Sequence, residues 1–293
     1  MFSTLASVVK LVAFFCLIGT GFVTMFGQPP AGPPRAPGVL TSNYVKTGLF
    51  VISGAGGNSI LRMSSNGLIV VDGNHAANFD ELRRKINRLA EQPIRIVVNT
   101  DHYEQHTGTN AKFIEGGARV VGQQNETKLL ANYNPSGAKI ADPSDTFDKE
   151  QTLHFGAVEV QLLHLGNART SADTVVYFPD LKAVALGDIY SATPDADYTA
   201  GGSILGWGKV LADVMKLDFD VAIPGVGPTV TRADVQALKA KVDSLVEHAQ
   251  KLVKSGVKKE SLMAGLKADD LGWTLTLSPE QVDGFYAELQ RLN

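Results

Sequence analysis

Residues 99–110 read Asn-Thr-Asp-His-Tyr-Glu-Gln-His-Thr-Gly-Thr-Asn and directly follow the apolar run Ile94 to Val98. Before that run, apolar residues recur at helical spacing, in the order Phe79, Leu82, Ile86 and Leu89. This succession predicts a β-α-β unit whose second strand ends at residue 98. Because the carboxyl ends of such strands commonly host sites, the polar stretch 99–110 is the candidate functional segment.

Strand-like and helical segments mix on both sides of this stretch. Short β-rich runs surround Gly54, Gly56 and Gly57, and they predict a strand meander rather than a phosphate cradle, because no helix opens directly after the glycines. Further strand-like runs lie at Arg119 to Gly122, Val158 to His164, Thr174 to Phe178, Ala183 to Leu186 and Val221 to Ile223. A helix is predicted near 209–215. The mixture predicts an α/β or α+β fold.

The C-terminal residues 231–293 are predicted to form helices that pack on a main domain over residues 39–230. Thr231 with Asp234 has the pattern of a capping box, and Gly256 is a plausible end of that helix. Ser278 and Gln281 open a last helix. The apolar faces of both helices are interpreted as core, with partner binding as the alternative.

The composition of the chain and the absence of certain catalytic motifs argue against several classes of function. The chain is 44% hydrophobic and 19% charged, which excludes a disordered protein. Its net charge of -3 is spread without long runs, so no nucleic-acid partner is expected. The Gly-x-Ser-x-Gly, His-Glu-x-x-His and Gly-x-x-x-x-Gly-Lys motifs do not occur, and serine hydrolases, zincins and P-loop proteins lose their sequence support.

Residues 99–110 resemble the Asn-Thr-His-x-His-x-Asp-His-x-Gly-Gly-Asn segment of the metallo-β-lactamase superfamily. Other segments follow in the family's order: 57–59 with 70–73, 166–170 with 173–179, Leu186-Gly187-Asp188, and Pro224-Gly225-Val226-Gly227-Pro228. The resemblance covers nearly all of residues 48–230. It implies the family's four-layer α/β/β/α sandwich.

The same resemblance implies that the family's two zinc ions have lost most of their ligands in this chain. The positions that carry five histidines and two aspartates in the family read here Asp101, Tyr103, Gln105, His106, Arg169, Asp188 and Val226. Only His106 and Asp188 keep the family residue. Zinc needs about four ligands drawn from Cys, His and carboxylate, and a guanidinium offers no lone pair. We therefore expect no cofactor, and a vestigial cleft formed by these residues and Asp72.

Three functions are compatible with this pattern. The first is a non-hydrolytic protein that binds an unknown small molecule or protein in the old cleft. The second is a hydrolase acting on an ester, lactone, lactam or similar bond. Its one remodelled zinc site would be drawn from His102, His106 and Asp188, with either Asp101 or Glu104 as a further ligand. The third is a purely structural domain.

Individual cleft residues carry narrower expectations. Asp72 is expected to accept hydrogen bonds from the loop around Asp101. His102 is expected to be an ordinary loop histidine, unless a helical turn places it on one face with His106. Arg169 is expected to form an ion pair with Asp188, Asp101 or both, where zinc sits in the family.

The N-terminal residues predict export. Residues 1–28 contain the apolar run Leu11 to Phe26 and are interpreted as a signal peptide or a retained membrane tether, since the run is short of the about 20 residues that a membrane span needs. Residues 29–38 form a proline-rich linker. A periplasmic or extracellular location follows. Cys16, the only cysteine, lies in the apolar run, so the mature domain has no intrachain disulfide.

Overall fold

The strands form two mixed β-sheets that face each other across a shared apolar layer. A computed structural model describes residues 38–135, 137, 139–266 and 275–292. The predicted signal segment, and the proline-rich linker apart from Gly38, lie outside these residues.

The first sheet contains seven strands in sequence order. They are β1 (Thr41–Lys46), β2 (Leu49–Gly54), β3 (Gly57–Ser64), β4 (Gly67–Val71), β5 (Ile94–Val98), β6 (Arg119–Gln123) and β7 (Asp145–Phe147). Strands β1 to β4 are an antiparallel meander, and β4 to β7 are parallel. The helices of this half are α1 (Phe79–Leu89), α2 (Glu104–Thr107), α3 (Asn110–Glu115) and α4 (Gln124–Leu130). The predicted meander and β-α-β unit are confirmed.

The second sheet contains six strands in reverse order. They are β8 (Glu150–Phe155), β9 (Val158–Leu163), β10 (Val175–Phe178), β11 (Ala183–Gly187), β12 (Val221–Pro224) and β13 (Val230–Thr231). Only β11 and β12 run parallel. Helix α5 (Ile204–Val214) connects them, and α6 (Arg232–Lys254), α7 (Lys259–Gly265) and α8 (Pro279–Arg291) follow the last strand.

Alternation along the strands divides the apolar side chains between layers. In β4, Leu68 and Val70 pack with Leu82 of α1, whereas Ile69 and Val71 belong to the cluster between the two sheets. Successive side chains of a strand point to opposite faces, so a strand buried on both faces is apolar throughout. One apolar run thereby supplies two layers of core.

The outer face of the second sheet is covered by the C-terminal helices. Trp207 of α5, Val242 of α6 and Phe285 of α8 share a cluster with Val184 and Leu186 of β11. Together with the cluster under α1, this gives the expected four-layer α/β/β/α sandwich.

Helix ends follow the predicted capping chemistry with one shift. The predicted capping box at Thr231 is present, and Ser278, predicted to open the last helix, forms a second one with Gln281. The helix predicted near 209–215 begins earlier, at Ile204, because Ser203 caps it by accepting a hydrogen bond from the backbone N–H of Gly206. Within the described ranges, no helix has the length and apolar character that crossing a membrane requires.

Candidate functional site

Four strand and helix ends bring one histidine and three carboxylates together. Asp72 follows β4, Asp101 lies three residues after β5, His106 is on α2, and Asp188 follows β11 of the other sheet. Asp72, Asp101 and His106 are buried, and the side chain of Asp188 is 13% exposed. The site therefore lies where the two sheets meet.

Asp72 fixes the loop that carries the site. Its backbone adopts a left-handed conformation, with φ of 63°. Its carboxylate accepts hydrogen bonds from the backbone N–H and the hydroxyl of Thr100, both at 2.8 Å. The predicted role of Asp72 is confirmed. Its Oδ2 also lies 2.8 Å from Nδ1 of His106, so Asp72 orients the imidazole as well.

The other ring nitrogen of His106 points at two further carboxylates. Nε2 lies 3.5 Å from Oδ2 of Asp101 and 3.4 Å from Oδ1 of Asp188. Within the described part of the chain, Nε2 of His106 and Oδ2 of Asp101 are buried and have no hydrogen-bond partner. One ligand atom from each of the three residues lies within 4.8 Å of the others. Such convergent lone pairs, with the histidine held by a carboxylate on its far side, fit a metal ion.

The close spacing alters the protonation of these groups. Burial opposes the charge on His106, but Asp101 and the other two carboxylates outweigh it and raise the pKa of His106 well above its usual value. Burial raises the pKa of Asp101 to about 8, although His106 lowers it. Partial burial opposes the ionisation of Asp188, yet His106 and then Arg169 hold its pKa below its usual range.

Glycines allow the two sheet edges to approach this closely. A Cβ atom on Gly225 would lie 2.5 Å from Oδ1 of Asp188 and 2.9 Å from Cε1 of His106. One on Gly187, where φ is 50°, would lie 2.5 Å from Oγ1 of Thr100. Asn58 joins the edges by donating to the carbonyl oxygens of Pro224 and Gly227.

Comparisons with known proteins agree on the fold. No protein-family model matches the chain. The chain is similar to the metallo-β-lactamase from Pontibacter korlensis, with a TM-score of 0.61 and 16% identity over 70% of this chain and 99% of that one. It is also similar to the DIM-1 metallo-β-lactamase, with a TM-score of 0.59 and 18% identity over 70% and 97% of the two chains. The chain has the metallo-β-lactamase fold.

One relative found by sequence is named for an activity other than that of a β-lactamase. The chain is 22% identical over 152 residues to the 2,4-dinitroanisole O-demethylase subunit alpha of Nocardioides sp. (strain JS1661). The match spans 50% of this chain and 44% of the relative, so less than half of that protein's length is covered.

The remaining predicted ligand positions are Tyr103, Gln105, Arg169 and Val226. The side chains of the first three contact one another or nearby acids. The Tyr103 hydroxyl donates to Asp197 at 2.7 Å, and the Arg169 guanidinium lies over the Tyr103 ring, 5.0 Å from its centroid. Gln105 donates to Asp188 at 3.2 Å. Val226 is 57% exposed and lines a cavity of about 680 Å³ beside Asp188.

The predicted ion pair of Arg169 with Asp188 or Asp101 is wrong. The guanidinium pairs with Asp195, which belongs to the irregular segment after β11. His106 supplies the positive charge next to Asp101 and Asp188 instead. The prediction failed because an imidazole held between several carboxylates binds a proton more tightly than a free one does.

His102 is not part of the metal-capable group. Helix α2 begins only at Glu104, so the helical turn that would align His102 with His106 does not form. The His102 ring packs against Tyr103 and Tyr133, with centroids 4.3 and 5.0 Å away. Burial lowers its pKa to about 4, which keeps it neutral. His102 is thus a packed loop histidine outside the group formed by Asp101, His106 and Asp188, although its buried Nδ1 has no hydrogen-bond partner among the described residues.

Several residues of the site were missed at the level of sequence. Thr100 stands next to Asp101 and could have been found from its position. Asp195 and Asp197 could not, because their segment carries no periodic pattern and its path across the cleft depends on tertiary packing.

Proposed function

We propose that this chain is a metal-dependent hydrolase with a single-ion site held by Asp101, His106 and Asp188. The observation that carries the proposal is the convergence of their ligand atoms, of which Nε2 of His106 and Oδ2 of Asp101 are buried with no hydrogen-bond partner among the described residues. A nitrogen and two carboxylate oxygens suit zinc or manganese. This is the remodelled site of the second hypothesis above, without His102.

The chain's own residues account for the rest of such a site. Asp72 holds Nδ1 of His106 and so directs Nε2 to the ion, which is the usual role of a carboxylate behind a metal-binding histidine. Three protein ligands leave a position open for substrate or water. A divalent ion held there would supply Lewis-acid polarisation of the scissile bond. The proposed substrates are esters, lactones, lactams or similar compounds. The name of the 2,4-dinitroanisole O-demethylase relative makes an aryl methyl ether a further candidate.

An unpaired positive charge on Arg169 would be an objection to a metal in this cleft, because it would repel a dication. That objection loses force because Asp195 pairs with the guanidinium and neutralises it locally. Arg169 also acts on Asp188 from a distance, since it helps to lower the pKa of Asp188. A ligand carboxylate with a low pKa is ionised and ready to bind a cation.

A non-hydrolytic binding protein is the second candidate. It is favoured by the contacts of Tyr103, Arg169 and Gln105, each of which is engaged with an acid at a position where the family has a ligand. In this candidate the protonated His106 replaces the metal. Export to the periplasm or the exterior is proposed for both candidates from residues 1–28.

Metal content and hydrolysis separate the two candidates. The full chain is purified after expression with added zinc or manganese, analysed for metal, and assayed with nitrocefin, 4-nitrophenyl acetate and 2,4-dinitroanisole. We expect close to one equivalent of metal per chain, its loss in His106→Ala, and its retention in His154→Ala, a control whose side chain is 75% exposed. A wild-type protein without metal and without hydrolysis of any of the three would contradict the hydrolase proposal.

A further inference from the structure

The cavity beside Asp188 combines apolar lining residues with cations and carboxylates. Val226, Leu238 and Tyr190 supply the apolar part, and the charged lining residues are Arg169, Lys241, Asp188, Asp195 and Asp234. Its volume of about 680 Å³ is within the range of small-molecule sites. A molecule with an apolar body and one charged group would match this distribution.

Arg169 is held in a fixed orientation in this cavity. Its guanidinium lies over the ring of Tyr103, and that ring is fixed by the hydroxyl bond to Asp197. The Nε atom of Arg169 is buried and has no hydrogen-bond partner among the described residues. A planar guanidinium that is stacked on an aromatic ring presents its remaining donors in a fork that fits a carboxylate.

Asp195 occupies the position that an external carboxylate would take. It belongs to the segment between Asp188 and Asp197, which has no helix or strand. Its side chain is 36% exposed, and its buried Oδ1 accepts no hydrogen bond from any described residue. The pair is partly buried, with side chains 21% and 36% exposed, so the guanidinium needs an anionic partner at all times. An anion that reaches Arg169 from the cavity would supply that partner, and the Asp195 side chain could then turn to solvent.

We propose that Arg169 is the anion-binding residue of this cavity, and that the cavity takes a small organic carboxylate with an apolar body, whose carboxylate displaces Asp195. The inference deepens the proposed function, because such a ligand would lie against Asp188 with its apolar body along Val226 and Leu238. Arg169 thereby becomes a determinant of substrate specificity at a position where the family has a metal ligand.

The test compares two probes of the same shape and different charge. Binding of 4-nitrobenzoate and of 4-nitrobenzamide to the purified full chain is measured by calorimetry, with and without EDTA. We expect the carboxylate to bind at least tenfold more tightly than the amide under both conditions. Because the EDTA measurement contains no metal, its result does not depend on whether the proposed hydrolase function is correct.

Variants assign the preference to Arg169. Arg169→Gln should reduce the difference between the probes to within twofold, and Asp195→Asn should tighten 4-nitrobenzoate binding several-fold. Lys216→Gln is the control, because it also removes a paired cation, but one bound to Asp213 on an exposed surface. Equal binding of both probes, absence of binding even in Asp195→Asn, or loss of the preference in Lys241→Gln but not in Arg169→Gln would overturn the proposal.

Discussion

In the metal-free site, two bound protons offset the negative charge of the buried carboxylates, as a divalent ion would. One is held by His106, whose pKa is raised well above its usual value, and the other by Asp101, whose pKa is about 8. Both groups must lose their protons before they can act as ligands. Replacing two protons by one dication leaves the net charge of the cluster unchanged.

Metal binding should therefore release protons in a pH-dependent way. Below about pH 8, binding of Zn²⁺ or Mn²⁺ displaces both protons, so the logarithm of the association constant should rise with pH with a slope near two. Above that pH, Asp101 is already ionised, and the slope should fall to about one while His106 keeps its proton. Calorimetry in buffers of different ionisation enthalpy measures the number directly. Uptake without proton release would show that the ion binds elsewhere.

The same protonation makes the metal-free protein sensitive to alkali. Asp101 has a higher pKa in the folded state than in the unfolded chain, so its contribution to stability is complete below about pH 4 and is lost as pH rises towards about 8. Asp101→Asn, which cannot ionise, should flatten this part of the profile. Urea titrations between pH 5 and 8 in EDTA measure the two slopes, and parallel profiles would contradict the assignment of the proton to Asp101.

At the scale of the elements, the loop after β12 determines how closely the second sheet approaches the site. Gly225→Ala would place a methyl group 2.5 Å from Asp188 and 2.9 Å from His106. We expect it to push Asp188 aside and weaken metal binding by about tenfold or more, as perturbed metal environments commonly do. Gly227→Ala is the matched control, since its Cβ meets nothing within 4 Å and only its φ of 98° is strained. Equal metal affinity in both variants would show that the loop is not a constraint on the site.

The elements also show which parts of the structure local sequence can predict. The turn through Gly54 and Gly57, the β-α-β unit and the capping boxes at Thr231 and Ser278 were predictable, because each depends on residues within a few positions of one another. The start of α2 was not, since four helical residues carry no periodicity. The partner of Arg169 was not predictable either, because Asp195 lies 26 positions further along the chain.

At the scale of the whole molecule, the C-terminal helices are part of the same core as the second sheet. Phe285 and Leu289 of α8 are fully buried in one cluster with Val184 and Leu186 of β11. The ordered family segments end near residue 228, so the resemblance alone could not place this layer. It follows from the apolar face that α6 and α8 must each bury.

The first core residue of the described chain defines how much of the N-terminus folding needs. Leu40 is fully buried in the cluster under α1, whereas Val39 is 84% exposed. The backbone N–H of Gly38 donates to Asn78 at 2.8 Å, and this bond links the start of the described chain to the loop after Asp72. Residues 1–37 should therefore be dispensable for folding, while Leu40 is not.

Truncation tests this boundary. A chain that begins at Gly38 should melt cooperatively and within experimental error of the full chain. A chain that begins at Thr41 should lose about 2 to 5 kcal/mol, as expected for removing a buried leucine. Leu40→Ala in the longer chain separates the side chain from the backbone: if the side chain carries the effect, this variant and the Thr41 chain lose similar stability. Failure of the Gly38 chain to fold, while the full chain folds, would place part of the folding information in residues 1–37.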